Sequence, residues 1–223
     1  MEYIKLTIFR VRWFICRRLG IHKIIEIDTR RMLWSEPKFI RKIIAHCKGV
    51  FMDVGAGLGY YARSAQSAKK VICFEPDQRC IAYLKEKLGD KAEIVPVALS
   101  NHTGTQLFHI ASKVFHSSLI QPTAPEIATT LVRGDMLDNY VNDIEEGEVI
   151  VKIDTEGAEH LILEGGRRFI TKHKPTFIIE YHNNLREICG ILNSCGYKIT
   201  RFRRDIKASI EHGWIVAEPR EKF

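Results

Sequence analysis

Short apolar runs alternate with amphipathic stretches along most of this chain. The apolar runs predict strands at residues 50–54, 71–74, 93–97, 149–153 and 176–181, and the stretches between them predict helices at 60–67, 77–88, 158–170 and 185–194. Two further strands, 197–202 and 214–217, follow each other with no helix between them. The alternation predicts an α/β fold with a mainly parallel sheet, helices on both faces and one antiparallel strand.

Two segments stand apart from this alternation. Residues 99–148 are too long for a simple connection; we predict a short strand at 105–110, a loop at 122–130 and a role in binding the substrate. Residues 1–48 carry 12 Lys and Arg against 4 Asp and Glu, whereas the rest of the chain is nearly neutral. We therefore predict a basic N-terminal extension, 1–48, with helices at 3–19 and 38–47, and a ligand-binding domain, 49–223.

The charge of the extension and the composition of the whole chain indicate in which compartment the protein occurs and what the extension could contact. The 223-residue chain has a formal charge of +7, no apolar run long enough to span a bilayer and no Cys-x-x-Cys pair. These features predict a cytoplasmic protein with reduced thiols, and a peripheral membrane contact is an open alternative. The extension could contact nucleic acid, anionic lipid or a phosphorylated acceptor, or it could be a solvated face.

A glycine-rich turn follows the first predicted strand and carries the clearest sign of a ligand. Residues 50–62 read VFMDVGAGLGYYA, and Glu75 closes the next apolar run, 20 residues after Gly55. Glycines at such a turn let a ligand approach the main chain, and a carboxylate at this distance can accept both hydroxyls of a ribose. The G-x-G-x-G spacing lacks the pattern of dinucleotide sites, so we predict S-adenosylmethionine rather than NAD.

Five motifs occur in an order that resembles a known family. VFMDVGAGLGYYA, FEPD, VALSNHTG, MLDNYV and VKIDTEGAEHLILEGG are similar to the FkbM-type S-adenosylmethionine-dependent methyltransferases, over roughly residues 34–218. The resemblance implies a class I methyltransferase (Rossmann-like) sheet of seven strands with the last one antiparallel. It also implies methyl transfer to a hydroxyl of a natural product, sugar or lipid-linked glycan.

The predicted cofactor site extends over four strand ends. The turn would hold the methionine end, with Asp53 on its ammonium group; Glu75 would bind the ribose and backbone after the third strand would meet the adenine. The predicted cofactor-binding residues are Asp53, Gly55, Ala56, Gly57, Gly59, Tyr60, Glu75, Pro76, Ala98, Leu99 and Asp154.

The predicted catalytic residues are Asp154, Glu156 and His182, which follow the fourth and fifth strands. Asp154 would orient the acceptor or take its proton, His182 is a candidate general base and His116 is a second one. Glu159 is explained by its place at a helix start. Asp154, His182 and Asn183 could instead bind Mg²⁺, but positioning and a base suffice for methyl transfer, so no metal is predicted.

Three functions remain open at this point. The first is O-methylation of a hydroxyl on a small-molecule, sugar or lipid-linked glycan acceptor. The second is RNA methylation, in which residues 1–48 and a basic cluster hold phosphates; that cluster is Lys198, Arg201, Arg203, Arg204 and Lys207. The third is a cofactor-binding or membrane-surface protein without catalysis.

Overall fold

The computed structural model describes residues 38–113, 116–120, 124–207 and 210–220. The chain divides into two compact units, Met1–Ile40 and Arg41–Phe223, and the description below concerns the second. Most of the predicted basic extension, including its helix at 3–19, lies outside the described residues.

Ten strands occur in the described part of the chain. They are β1 (Val50–Val54), β2 (Lys70–Phe74), β3 (Glu93–Val95), β4 (Ala98–Ser100), β5 (Gly104–Ala111), β6 (Glu126–Met136), β7 (Val149–Ile153), β8 (Thr176–His182), β9 (Tyr197–Lys207) and β10 (Ile210–Pro219). Seven form one sheet in the order β3-β2-β1-β7-β8-β10-β9. In this sheet β10 runs antiparallel to the other six strands, which are parallel to one another. The predicted mainly parallel seven-stranded sheet is therefore confirmed.

The centre of the sheet is buried on both of its faces. All five residues of β1 and all five of β7 are buried, as expected for parallel strands covered on either side. In the register of these strands Val54 lies opposite both Phe74 and Ile153. The strand ends of β1, β2 and β7 therefore lie level at one edge of the sheet.

Among the described residues five α-helices accompany the strands: α1 (Lys38–Ala45), α2 (Gln78–Leu88), α3 (Glu159–Glu164), α4 (Arg167–His173) and α5 (Leu185–Ser194). Asp77 caps α2 because its side chain accepts the Arg79 N–H, and the helix ends at Gly89, where φ is +52°. The prediction for this helix is confirmed, and that for α5 matches the observed bounds.

Two predicted helices differ from the structure. Residues 60–67 contain only a 3₁₀ turn, Ala62–Ser64, because the segment is too short to propagate a helix and Gly59 has a φ of +70°. The helix predicted at 158–170 is divided into α3 and α4 at Gly165. A Cβ there would lie 2.2 Å from the Ser100 carbonyl oxygen, so the chain comes into direct backbone contact with β4.

The long segment after β3 forms a second sheet, in the order β4-β6-β5. The predicted strand at 105–110 is confirmed as part of β5, but the loop predicted at 122–130 is wrong at its carboxyl end, where β6 begins. The prolines precede that strand, and its β-branched residues pair antiparallel with β5. Strand 93–97 likewise ends early, and β4 joins this second sheet.

Within the described residues, no helix combines the length and the apolar character that a bilayer crossing requires.

The close approach at Gly165 predicts opposite effects for the same substitution at two glycines. Gly165→Ala should lower the free energy of unfolding by about 1–3 kcal/mol, since the added methyl group would overlap the β4 backbone. Gly190→Ala, in α5 with open space around it, should raise it by about 0.5–1 kcal/mol. Urea unfolding measures both, and equal effects would contradict the packing described here.

Candidate active site

The carboxyl ends of the parallel strands bring polar side chains to one edge of the sheet. Glu75 follows β2, Asp154 follows β7, and β8 ends with His182. Because β10 runs the other way, its first residues reach the same edge, and His212 lies opposite His182. Three predicted site residues, Glu75, Asp154 and His182, therefore lie at the edge where ligands bind in open α/β sheets.

The backbone of the turn after β1 lies against the ends of β2 and β7 at this edge of the sheet. The N–H groups of Gly55 and Ala56 both donate to the Phe74 carbonyl, at 3.0 and 3.1 Å. Gly55 has a φ of +72°, and a Cβ would lie 2.0 Å from the Asp154 carbonyl oxygen. Only glycine satisfies both constraints, since other residues rarely adopt this φ.

Glu75 is buried and held by two backbone donors. Its Oε2 accepts the Gly57 N–H at 2.7 Å, and its Oε1 accepts the Asp77 N–H at 2.8 Å. Burial raises the pKa of the Glu75 carboxyl to about 7, although both hydrogen bonds favour the charged form. Each oxygen keeps a further lone pair, so the side chain can still accept two hydroxyl groups.

A cleft of about 590 Å³, including its open mouth, lies over the strand ends. Its walls combine apolar side chains with a few polar groups, as ligand sites do. Eight predicted residues line it: Gly55, Gly57, Glu75, Pro76, Ala98, Leu99, Asp154 and Glu156. Because a diol acceptor and an apolar wall face the same space, the residues present fit S-adenosylmethionine.

Strand β5 of the second sheet and the segment between β5 and β6 supply residues that line the cleft and that the sequence analysis did not identify. These are Phe108, Ser117, Ser118 and Leu119. Ser118 Oγ lies 2.9 Å from the Thr155 carbonyl and 3.1 Å from that of Glu156, so this segment is attached to the loop after β7. The only available signal was the polar His-Ser-Ser run within a long connection.

Five predicted residues do not line the cleft: Asp53, Ala56, Gly59, Tyr60 and His182. Asp53 is fully buried; its Oδ2 accepts the Ala62 N–H at 3.1 Å, and its Oδ1 lies 3.3 Å from the Lys152 Nζ. The carboxylate therefore faces Lys152 rather than the cleft. A direct contact between Asp53 and a ligand's ammonium group does not follow from this geometry.

Lys152 is a buried cation that the sequence analysis missed. Its Nζ lies 3.3 Å from Asp53 Oδ1 and 3.4 Å from Asp154 Oδ2, and donates to the Gly55 carbonyl at 3.1 Å. Burial alone would lower the pKa of Lys152, but the two carboxylates outweigh it and raise the pKa. A lysine inside the otherwise apolar run 149–153 was the signal that could have indicated it.

His182 has a carboxylate near each of its two ring nitrogens, the buried Glu159 and the partly buried Glu156. Nδ1 is 3.3 Å from Glu159 Oε1, and Nε2 is 3.7 Å from Glu156 Oε2. Burial alone would lower the pKa of His182, but the hydrogen bond to Glu159 and the charge of Glu156 raise it to about 9. Beside these carboxylates the His182 ring is protonated near neutral pH. A protonated ring cannot accept a proton, which argues against the predicted general-base role.

Glu156 and Asp154 present their carboxylates to the cleft. Glu156 has a φ of +57°, a conformation that costs about 1–3 kcal/mol for a residue other than glycine and that often occurs at functional sites. Its Oε2 lies 3.3 Å from His116 Nδ1, so the second predicted histidine also reaches this cluster. Burial would raise the pKa of Asp154, but the positive charges of Lys152 and His182 lower it.

Comparison with known proteins identifies the family. The model of the Methyltransferase FkbM domain matches residues 53–199. The chain belongs to the FkbM methyltransferase family. The resemblance seen in the motifs is thereby confirmed, and the glycine turn, Glu75 and the KIDTEGAE segment lie within the matched FkbM domain.

Individual relatives of this FkbM-family chain are distant. The 2-O-methyltransferase NoeI of Sinorhizobium fredii (strain NBRC 101917 / NGR234) is 27% identical over 144 residues, which cover 55% of this chain and 59% of that protein. A crystal structure of Methyltransferase FkbM from Methylobacillus flagellatus KT has a TM-score of 0.51 and 19% identity, covering 74% of this chain and 42% of that one. The chain thus spans about half the length of these relatives, and the structural likeness shows the fold alone.

The position of Lys152 between two carboxylates predicts a large effect on stability. Lys152→Met should lower the free energy of unfolding by about 3–5 kcal/mol, because Asp53 and Asp154 would stay buried without their cation. The control is Lys70→Met on β2, whose ion pair with Glu93 is exposed and should contribute at most about 1 kcal/mol. Chemical denaturation compares the two variants; similar losses would show that Lys152 has no special electrostatic role.

Proposed function

We propose that this chain is an S-adenosylmethionine-dependent O-methyltransferase that acts on a hydroxyl of a small-molecule, sugar or lipid-linked glycan acceptor. The observation that carries the proposal is the division of the cleft. A buried carboxyl suited to a ribose lies on its β2 side, and two carboxylates lie on its β7 side. Membership in the FkbM family and the similarity to NoeI, a 2-O-methyltransferase, support it.

On the β2 side, Glu75 would accept hydrogen bonds from the two ribose hydroxyls with the lone pairs that the Gly57 and Asp77 N–H groups leave free. Ala98 and Leu99 line the cleft without a polar side chain, so their backbone would bind the edge of the adenine. Bound S-adenosylmethionine supplies an activated methyl group, and the electron pair of the broken carbon–sulfur bond stays on sulfur. The chain's own contribution is alignment of the acceptor with that group.

On the β7 side, Asp154 or Glu156 would accept the one hydrogen bond that an acceptor hydroxyl donates. As the oxygen gains the methyl carbon it loses its proton, and one of these carboxylates takes that proton. His182 keeps Glu156 and Glu159 in place rather than acting as the base. A carboxylate-lined end repels phosphate groups, which favours a hydroxyl-rich acceptor over RNA. The basic residues 1–48 remain a proposed contact with an anionic surface.

The first test identifies the acceptor by class. Purified protein and S-adenosylmethionine with a labelled methyl group are added to extract from cells lacking the protein, and the products are separated into RNA, protein, lipid and small-molecule fractions. We expect label in the lipid or small-molecule fraction, and at least a hundredfold less with Asp154→Asn, since its carboxylate orients the acceptor. Glu93→Gln, on the exposed part of β3, is the matched control.

Two outcomes would overturn the proposal. Nuclease-sensitive label would make the protein an RNA methyltransferase and the basic extension its substrate contact. Binding of S-adenosylmethionine without label in any fraction would favour a binding protein without catalysis.

The raised pKa of Glu75 predicts a pH-dependent affinity for the ribose. The carboxylate accepts hydroxyl hydrogen bonds best when ionised, so binding should strengthen as the pH rises through about 7. We expect the Kd of 5′-methylthioadenosine, which has the diol but no group titrating in this range, to increase by up to about tenfold from pH 8 to pH 6. Isothermal titration calorimetry measures it.

The variants Glu75→Gln and Glu93→Gln separate this effect from a general one. Glu75→Gln should bind more weakly at pH 8 and show no dependence on pH between 6 and 8. Glu93→Gln should retain the wild-type profile, because this side chain is exposed and far along the chain from the glycine turn. A pH dependence that persists in Glu75→Gln would assign the titration to another group.

A further inference from the structure

Three side chains at the carboxyl ends of β7 and β8, two of which line the cleft, have the arrangement of a metal site. One donor atom each from Asp154, Glu156 and His182 lies within 4.8 Å of the other two. We propose that these three residues bind one divalent first-row transition-metal ion, such as Mn²⁺. The site itself stands on this geometry, while the use made of the ion rests on the proposed function.

The donor set favours this class of ion. An imidazole nitrogen with two carboxylate oxygens suits Mn²⁺, Fe²⁺, Co²⁺ or Zn²⁺, whereas Mg²⁺ prefers oxygen ligands and water. Donors bound at about 2.1 Å lie roughly 3.0–3.5 Å from each other. The 3.7 Å between Glu156 Oε2 and His182 Nε2 is close to this spacing, so small side-chain movements complete the site.

Glu159 gives His182 the outer support that metal-bound histidines have. Its Oε1 lies 3.3 Å from His182 Nδ1, which leaves Nε2 as the ligand atom. Glu159 is itself fully buried and cannot move freely, because it accepts hydrogen bonds from the Gly157 N–H at 2.9 Å and from Asn184 Nδ2 at 2.6 Å. These contacts hold Glu159 where its carboxylate can orient the His182 ring, as in a carboxylate–histidine–metal arrangement.

The position of the three ligands shows where the ion would act. Asp154 and Glu156 line the cleft, whereas His182 does not, so the protein ligands approach from one side. The remaining coordination positions would face the cleft. There the ion would hold the acceptor hydroxyl and ease the loss of its proton to a neighbouring carboxylate.

A second group of possible ligands shares His182 with the first and provides a control. Glu180, His182 and His212 also have donor atoms within 4.8 Å of one another. Neither Glu180 nor His212 lines the cleft, whereas Asp154 and Glu156 both do. We therefore place the ion on the Asp154 side and expect His212 not to take part.

The test measures metal binding with neither methyl donor nor acceptor present. The full chain is stripped with EDTA and titrated with MnCl₂, and free Mn²⁺ is followed by its electron paramagnetic resonance signal. We expect one Mn²⁺ per chain, bound at least tenfold more weakly by Asp154→Asn and His182→Gln, and about tenfold more weakly by Glu159→Gln. His212→Gln, the same substitution on the facing strand, should bind within about twofold of the wild type.

The outcomes separate this proposal from the proposed function. If the wild type shows no saturable Mn²⁺ binding, His182 and its carboxylates form an ion-pair network that excludes metal. If His212→Gln loses Mn²⁺ binding but Asp154→Asn keeps it, the ion binds at the second group. Either result overturns the proposed site. If His182→Gln is unfolded by circular dichroism, Asp154→Asn and Glu156→Gln decide. Metal binding without methyl transfer to any fraction would keep the site and refute the proposed function, and metal-free transfer at full rate would refute the role of the ion.

Discussion

The ammonium group of Lys152 links the two central strands at the edge where the cleft forms. Moving a charge into the protein interior is costly, and two carboxylates and a carbonyl compensate for it only while each keeps its position. Asp53 is thereby tied to the base of the turn after β1 and Asp154 to the end of β7. The Gly55 backbone lies against Asp154, so the floor of the cleft and its acid are fixed by one buried contact.

That contact also explains why acids at the same edge of the sheet differ in charge. Glu75 has no cation within bonding distance among its described contacts, so burial holds its carboxyl near the point of titration. Asp154 shares Lys152 and lies beside His182, so it stays ionised. One side of the cleft therefore suits a neutral diol, and the other suits a group that carries or gives up a proton. The difference comes from neighbours and not from residue type.

The sequence was sufficient for features that depend on local pattern. β1, β7 and α5 were predicted with the bounds that the structure shows. Spacing predicted the glycine turn and Glu75 as site residues, and the position after a predicted strand predicted Asp154. It was insufficient where distant segments decide the outcome. Gly165 interrupts a helical pattern because of the β4 backbone, and β6 follows prolines that suggested a loop.

Side-chain direction was the other limit on the prediction of the site. Asp53 and Lys152 lie opposite each other on β1 and β7, which no spacing within one segment reveals. Asp53 was therefore predicted to contact the cofactor, and Lys152 was not predicted to take part in the site. The pairing of strands had to be known before either side chain could be given a partner.

The reversed direction of β10 has a consequence for how such a protein can diversify. Parallel strands deliver residues to the ligand edge only at their carboxyl ends, each followed by a crossover that also packs on the sheet. In β10, which forms a hairpin with β9, His212 near the amino end of the strand lies at this edge, opposite His182. Substitutions or length changes in that hairpin alter the surroundings of His182 without disturbing the glycine turn. One side of this sheet edge can therefore vary while the glycine turn on the other side stays the same.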